Sequence, residues 1–150
     1  MGEVGKIDMT DEDPSILEQN EAFYAAFNAR DATAMAALWS EEAPCACLHP
    51  SSPPIHGREA VLRSWSQILG SPNAPLVACE RTEIRRYGTT AIVACFERVG
   101  ERRSDKRTIA VLAATNVFVL ERGRWRLVHH HSSPIGTAMR ETAPDPRVLN

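Results

Sequence analysis

Hydrophobic positions in the first half of the chain recur at helical spacing, and in the second half they alternate. Ser15-Ile16-Leu17-Glu18 has the form of a capping box, and Ile16, Phe23, Tyr24 and Phe27 follow it on one helical stripe, with Asn20 as its polar exception. Asp31 is placed to cap a second, shorter helix lined by Met35, Leu38 and Trp39, which Pro44 ends. Residues 45–49 read as a short extended run, and the proline-rich 51–54 as a loop, so His49 closes a strand at a loop mouth. Val61, Leu62, Trp65, Ile68 and Leu69 then predict a third helix, closed by Gly70-Ser71-Pro72.

Four alternating runs follow, at 76–86, 89–99, 106–121 and 125–132, divided by Tyr87-Gly88, Gly100-Glu101 and Arg122-Gly123. Consecutive strands with short connections predict an antiparallel meander. Three helices leading into a curved antiparallel sheet make an α+β layer fold with the helices on one face. The expected organisation is a flexible acidic arm over 1–14, one domain over 15–134 and a C-terminal tail over 135–150.

Composition narrows the function classes. A chain of 150 residues with 43% hydrophobic and 24% charged residues is long enough for one self-sufficient core. A formal net charge of −2 argues against a nucleic-acid partner, and the basic group Arg102, Arg103, Lys106 and Arg107 falls at an expected hairpin turn. No apolar run approaches the ~20 residues of a membrane helix. Cys45, Cys47, Cys79 and Cys95 lack a C-x-x-C spacing and read as reduced, buried thiols, which sets the expectation of a cytoplasmic protein.

Three segments carry a resemblance. They are Phe23-Tyr24-Ala25-Ala26-Phe27-Asn28-Ala29-Arg30-Asp31; Cys47-Leu48-His49-Pro50 with the helix from Gly57 to Trp65; and the hairpin from Ala114 through Trp125 to His129-His130-His131-Ser132-Ser133. In that order the chain resembles the nuclear transport factor 2-like superfamily, in its SnoaL-like branch (ketosteroid isomerase-like, cystatin-like cone fold). The last hairpin is also similar to the hub domain of calcium/calmodulin-dependent protein kinase type II. The resemblance implies a cone-shaped domain enclosing a pocket and a homodimer formed through the sheet. It implies no single activity, since the fold serves isomerases, cyclases, dehydratases, hubs and carriers.

Laid over the superfamily's ketosteroid isomerases, the tyrosine donor position matches Phe23, the base falls near His49, and the second donor near Thr115, so steroid isomerase chemistry is not expected. Imidazole suits proton transfer near neutral pH, which makes His49 the candidate acid or base. Tyr24, Phe27 and Trp65 are expected to line the pocket, and Asn116 matches an arginine of the hub domain's pocket. Alternation along the last strand assigns Trp125, Leu127, His129, His131 and Ser133 to the pocket side, and Arg126, Val128 and His130 to the other. His49, His131 and Tyr24 should therefore converge while His130 points away. His129 and His131 share a face, yet no third ligand stands at a recognisable spacing, so neither a metal nor any other cofactor is expected. The resulting expectation is a small-molecule-binding protein with scope for cofactor-free isomerase, hydratase or cyclase chemistry on an apolar metabolite. The alternative is a non-catalytic oligomerisation or interaction domain resembling the kinase hub.

Overall fold

A computed structural model describes residues 14–102 and 104–136. The expected arm and tail lie outside them, apart from Pro14, Ile135 and Gly136. Helix α1 spans Pro14–Asn28, one residue ahead of the expected cap. Proline at the first helical position gives up only an N–H that has no intrahelical acceptor, so Ser15 falls within the first turn. Helix α2, Ala32–Leu38, is capped as expected, with the Ala34 amide donating to Asp31 Oδ1 at 2.9 Å. The third helix, α3, covers Arg58–Gly70.

The strands are β1 Ala46–Leu48, β2 Ile55–His56, β3 Leu76–Tyr87, β4 Thr90–Glu101, β5 Ser104–Glu121 and β6 Arg124–Pro134. They form one sheet in the order β2-β1-β6-β5-β4-β3. The predicted meander is its larger part, β3 to β6. The other edge brings one correction and one addition. Strand β1 pairs parallel with β6, setting Ala46, Cys47 and Leu48 opposite His129, His130 and His131, so the sheet is mixed. Ile55 and His56, between the expected loop and α3, add a two-residue antiparallel edge to β1. The β5–β6 turn is of the primed type, since Arg122 and Gly123 both have positive φ, at 50° and 79°.

All three helices lie on one face. Their stripes meet the sheet through Ile16, Phe23, Met35, Val61, Trp65 and Leu69, packed on Val93, Phe118, Trp125 and Leu127. Asn28 fastens the end of α1 to β3, its amide donating to the Val77 carbonyl at 2.9 Å and its carbonyl accepting the Val77 amide at 2.8 Å.

Parity along β6 departs from simple alternation. Phe118 sits opposite Leu127 but Val117 opposite His129, so Val128 is an extra residue. This β-bulge inverts the faces downstream of it. Trp125 and Leu127 point toward the helices as predicted; beyond the bulge His130 and Ser132 do so, and His129, His131 and Ser133 turn outward.

Candidate functional site

Between α1, α3 and the inner face of the sheet lies a cavity of about 200 Å³. Its apolar walls include Phe23, Phe27, Trp65, Val77 and Leu112, and its polar groups come from His49, Glu97, His130 and Ser132. Phe23 and Phe27 both meet the Trp65 ring edge to face, with centroids 5.4 and 5.7 Å apart, which fixes the aromatic wall.

Glu97 follows the buried stripe Ala91, Val93 and Cys95 of β4 in phase, and is itself only 4% exposed. Among the described residues, no Lys or Arg lines the cavity with it. Tyr24 donates its hydroxyl to Glu97 Oε2 at 2.8 Å, and Ser132 donates to Oε1. Burial raises the Glu97 carboxyl above the usual range, against the lowering effect of the Ser132 and Tyr24 hydrogen bonds.

Asn116 organises the other half of the site. Its amide nitrogen donates to Asn20 Oδ1 at 2.8 Å and to the Tyr24 hydroxyl at 3.2 Å, so both hydrogens are used. Its oxygen, which can only accept, lies 2.5 Å from His130 Nδ1, and His130 must therefore carry its proton there. Burial, with smaller contributions from His49, His129 and His131, pushes the His130 pKa down to about 3. The ring is thus neutral at neutral pH, with its lone pair on Nε2. Because Tyr24 accepts from Asn116, its own hydrogen is left for Glu97. One amide sets the proton positions on both sides of the cavity. Burial, then the Glu97 charge, raises the Tyr24 phenol, which stays protonated.

His49 lines the same cavity, its ring 4.7 Å from Trp65. Its Nε2 is 2.9 Å from Ser64 Oγ, whose hydrogen goes to the Val61 carbonyl at 2.7 Å, so His49 Nε2–H is the donor and Nδ1 holds the lone pair. Burial lowers the His49 pKa. Cys47 lies 3.8 Å from that Nδ1, but burial pushes its thiol up to about 12, so it does not supply a thiolate.

Of the residues singled out from sequence, His49, Phe27 and Trp65 line the cavity, and Tyr24 and Asn116 stand behind its wall in the hydrogen-bond network. The expected convergence of Tyr24 and His49 with His131 fails at His131, which is exposed on the outer face. Thr115 and His129 also face outward. The expected exclusion of His130 is likewise reversed, and the Val128 bulge is the physical reason for both. The outer face has its own hollow of about 540 Å³, bordered by Arg81, Glu83, Phe96, Thr115, His131 and Ser133. Among the described residues no group of three or more His, Cys, Asp or Glu could hold a metal ion, and no helix is long and apolar enough to cross a membrane.

Glu97, His130, Ser132 and Asn20 were not assigned to the site from sequence. A signal existed for two of them. Glu97 is a charged residue in phase with a buried strand stripe, and Asn20 interrupts an apolar helix stripe; each is a polar group that must find a partner inside. For His130 and Ser132 no local signal marks the extra residue that turns them inward.

The family model for a SnoaL-like domain matches residues 16–137. A candidate dehydratase of the NTF2-like family from Streptomyces avermitilis is similar in structure, with 27% identity and a TM-score of 0.75 over 83% of this chain and 96% of that one. A candidate calcium/calmodulin-dependent protein kinase type II association domain from Thiobacillus denitrificans is 31% identical, with a TM-score of 0.70 over 79% of this chain and 93% of that one. The F-box protein SKIP8 of Arabidopsis thaliana is 29% identical over 121 residues, which are 79% of this chain and 49% of the relative. The chain thus spans about half the length of that curated relative.

Proposed function

Because the chain belongs to the SnoaL-like domain family, in which one pocket serves many chemistries, we propose that its inner cavity binds a small, mostly apolar molecule and moves protons on it without a cofactor. One observation carries this reading: a buried carboxyl, Glu97, whose charged form burial disfavours, and a buried neutral imidazole, His130, share a single apolar cavity with no cation beside them among the described residues. Two titratable groups held in opposite roles by their surroundings are the usual ingredients of acid–base catalysis.

Dehydration, with its reverse hydration, fits this pair. His130 Nε2 takes a proton from the carbon next to a carbonyl while Glu97 gives its proton to the departing hydroxyl, which leaves as water. Each transfer favours the other, since ionised Glu97 stabilises the imidazolium that a lone buried ring resists. The pair then returns to its starting state when the proton passes back from His130 to Glu97. Similarity to the Streptomyces avermitilis candidate dehydratase supports this class over others. His49 is a further acid–base candidate, with Nδ1 as its accepting atom, and Tyr24, Phe27, Trp65 and Asn116 shape the site.

The test is a thermal-shift screen against neutral hydroxy-carbonyl metabolites, followed by NMR of solvent deuterium uptake at the activated carbon. Uptake by the wild type that falls at least tenfold in Glu97→Gln and His130→Gln supports the reading. Uptake unchanged in both variants would remove Glu97 and His130 from the chemistry, and no uptake by the wild type would leave the cavity a binding site alone.

We further propose that the protein is a cytoplasmic homodimer joined through the outer face of the sheet, where half-buried Ile92, Phe96, Val117 and Val119 cluster with none of the described helices over them. All four cysteines are free, which supports the reducing compartment. The 31% identity to the association domain from Thiobacillus denitrificans favours a second reading, an assembly domain. Light scattering separates the two: a dimer supports the first, and a larger closed ring the second.

A further inference from the structure

The cavity's wall also limits the charge and hydrogen-bonding pattern of what it can hold. Trp65, 2% exposed, lines the cavity and carries a buried indole N–H with no acceptor among the described residues. A buried donor left without a partner costs about 1–3 kcal/mol, so an acceptor is favoured that reaches this closed N–H through a small shift of the indole ring toward the cavity. His130 presents the complement. Its Nδ1–H is committed to Asn116, which leaves Nε2 as an acceptor, and the two rings are 5.7 Å apart between centroids. Donor and acceptor thus stand on neighbouring rings of one wall.

Charge is disfavoured in both signs. An anion finds no Lys or Arg lining the cavity among the described residues. An ammonium would suit the aromatic rings, and Glu97 is its one candidate partner. Each Glu97 oxygen, however, already receives one hydrogen, from Tyr24 and from Ser132, which offsets part of the pull it could exert on a cation. A cation would also have to shed its water to enter a wall made mostly of carbon.

We propose that the cavity selects an uncharged ligand presenting a carbonyl-type acceptor beside an N–H or O–H donor, the acceptor taken by Trp65 Nε1–H and the donor by His130 Nε2. Carboxamides and hydroxy-carbonyl compounds are the chemical classes that carry this pair. A volume of about 200 Å³ corresponds to about seven waters at their liquid density, so the ligand has up to about ten heavy atoms. This rests on the small-molecule reading and narrows it.

Four probes of one size test it: cyclohexanecarboxamide, cyclohexyl methyl ketone, cyclohexylmethylammonium and cyclohexanecarboxylate, each titrated at pH 7 into nitrogen-15-labelled protein. The carboxamide is expected to bind about tenfold more tightly than either ion and a few-fold more tightly than the ketone. It should move the Trp65 indole proton downfield, and Trp65→Phe, which keeps a ring there, should cost it about tenfold in affinity. If the ammonium or the carboxylate binds as tightly as the carboxamide, or the bound carboxamide leaves the Trp65 indole of the wild type unmoved, the inference falls while the cavity remains a binding site. If all four probes fail to bind at millimolar concentration, the small-molecule reading falls and takes this inference with it.

Discussion

The two faces of strands β4, β5 and β6 are built from alternate residues of the same segments, yet they handle polarity in opposite ways. On the inner face Glu97, Asn116, His130 and Ser132 are all under 5% exposed and joined through Tyr24 and Asn20 into one hydrogen-bonded network. On the outer face Thr115, His131 and Ser133 border an open hollow where water can satisfy them. Sequence neighbours such as His130 and His131 therefore have different chemistry. The first has its tautomer fixed and its charge suppressed by burial, whereas the second is solvated. What a strand residue does is decided by its face, and in β6 the face is decided by one inserted residue.

Removing that residue should have the largest effect. Without Val128, either Trp125 and Leu127 or His130 and Ser132 must turn outward. Exposing the first pair forfeits about 5 kcal/mol of apolar burial, and turning the second pair out strips Glu97 and Asn116 of partners. Deletion of Val128 is expected to yield protein without near-ultraviolet circular dichroism or dispersed amide resonances. A well-folded deletion variant would mean that the difference between the faces does not depend on the bulge.

The fold was legible because its signals are repeated. Each helix stripe has several members, each strand several alternations, and the Asp31 cap and the Arg122-Gly123 turn are local features that need no tertiary information. The β1–β6 pairing was not legible, since parallel partners lie some eighty residues apart and three residues carry little pattern. Half of the cavity was readable too. Tyr24, Phe27, His49 and Trp65 sit on helices or at a strand end whose phase is set nearby. The β6 residues beyond Val128 were misassigned because an error of one residue inverts every later side chain. Glu97 was overlooked although its in-phase position on β4 was visible.

Acidity offers the next test of the contrast. The His130 pKa is lowered from 6.5 to about 3, so between those values the native state binds fewer protons than the unfolded chain. Its contribution is fully present above pH 6.5 and is lost as the pH falls toward 3, by about 3 kcal/mol at pH 4. Glu97 acts in the opposite sense. Its carboxyl is raised from 4.5, so its contribution is present at low pH and is lost as the pH rises through the folded value. Urea unfolding from pH 4 to 8 should show His130→Gln losing less stability than the wild type on the acid side, and Glu97→Gln losing less on the alkaline side. Parallel curves for wild type and both variants would place these groups in solvent, and the inner face would then resemble the outer one.

A smaller effect is expected from substitutions at neighbouring positions on β5. Asn116→Leu leaves the His130 Nδ1–H and the Asn20 oxygen without their partner, at about 2 kcal/mol. Thr115→Val, one residue away and facing outward, should stay within about 0.5 kcal/mol. Equal losses in urea unfolding would show that the network adds nothing to the inner face beyond packing.

The smallest expected effect belongs to His131→Ala, and its value lies in being small. His131 is exposed on the outer face, opposite Thr115, with the sheet between it and the cavity. Stability should change by less than about 0.5 kcal/mol, as for other exposed positions away from caps and buried partners. The affinity of the cavity for cyclohexanecarboxamide should stay within twofold of the wild type, while His130→Ala, adjacent in sequence, loses about tenfold through the missing acceptor. The two variants remove the same side chain from consecutive positions, so composition and net charge cancel between them and only the face differs. Comparable affinity losses in both would mean that His131 reaches the ligand. The bulge would then fail to separate the two faces, and the simple alternation expected from sequence would be the better description of β6.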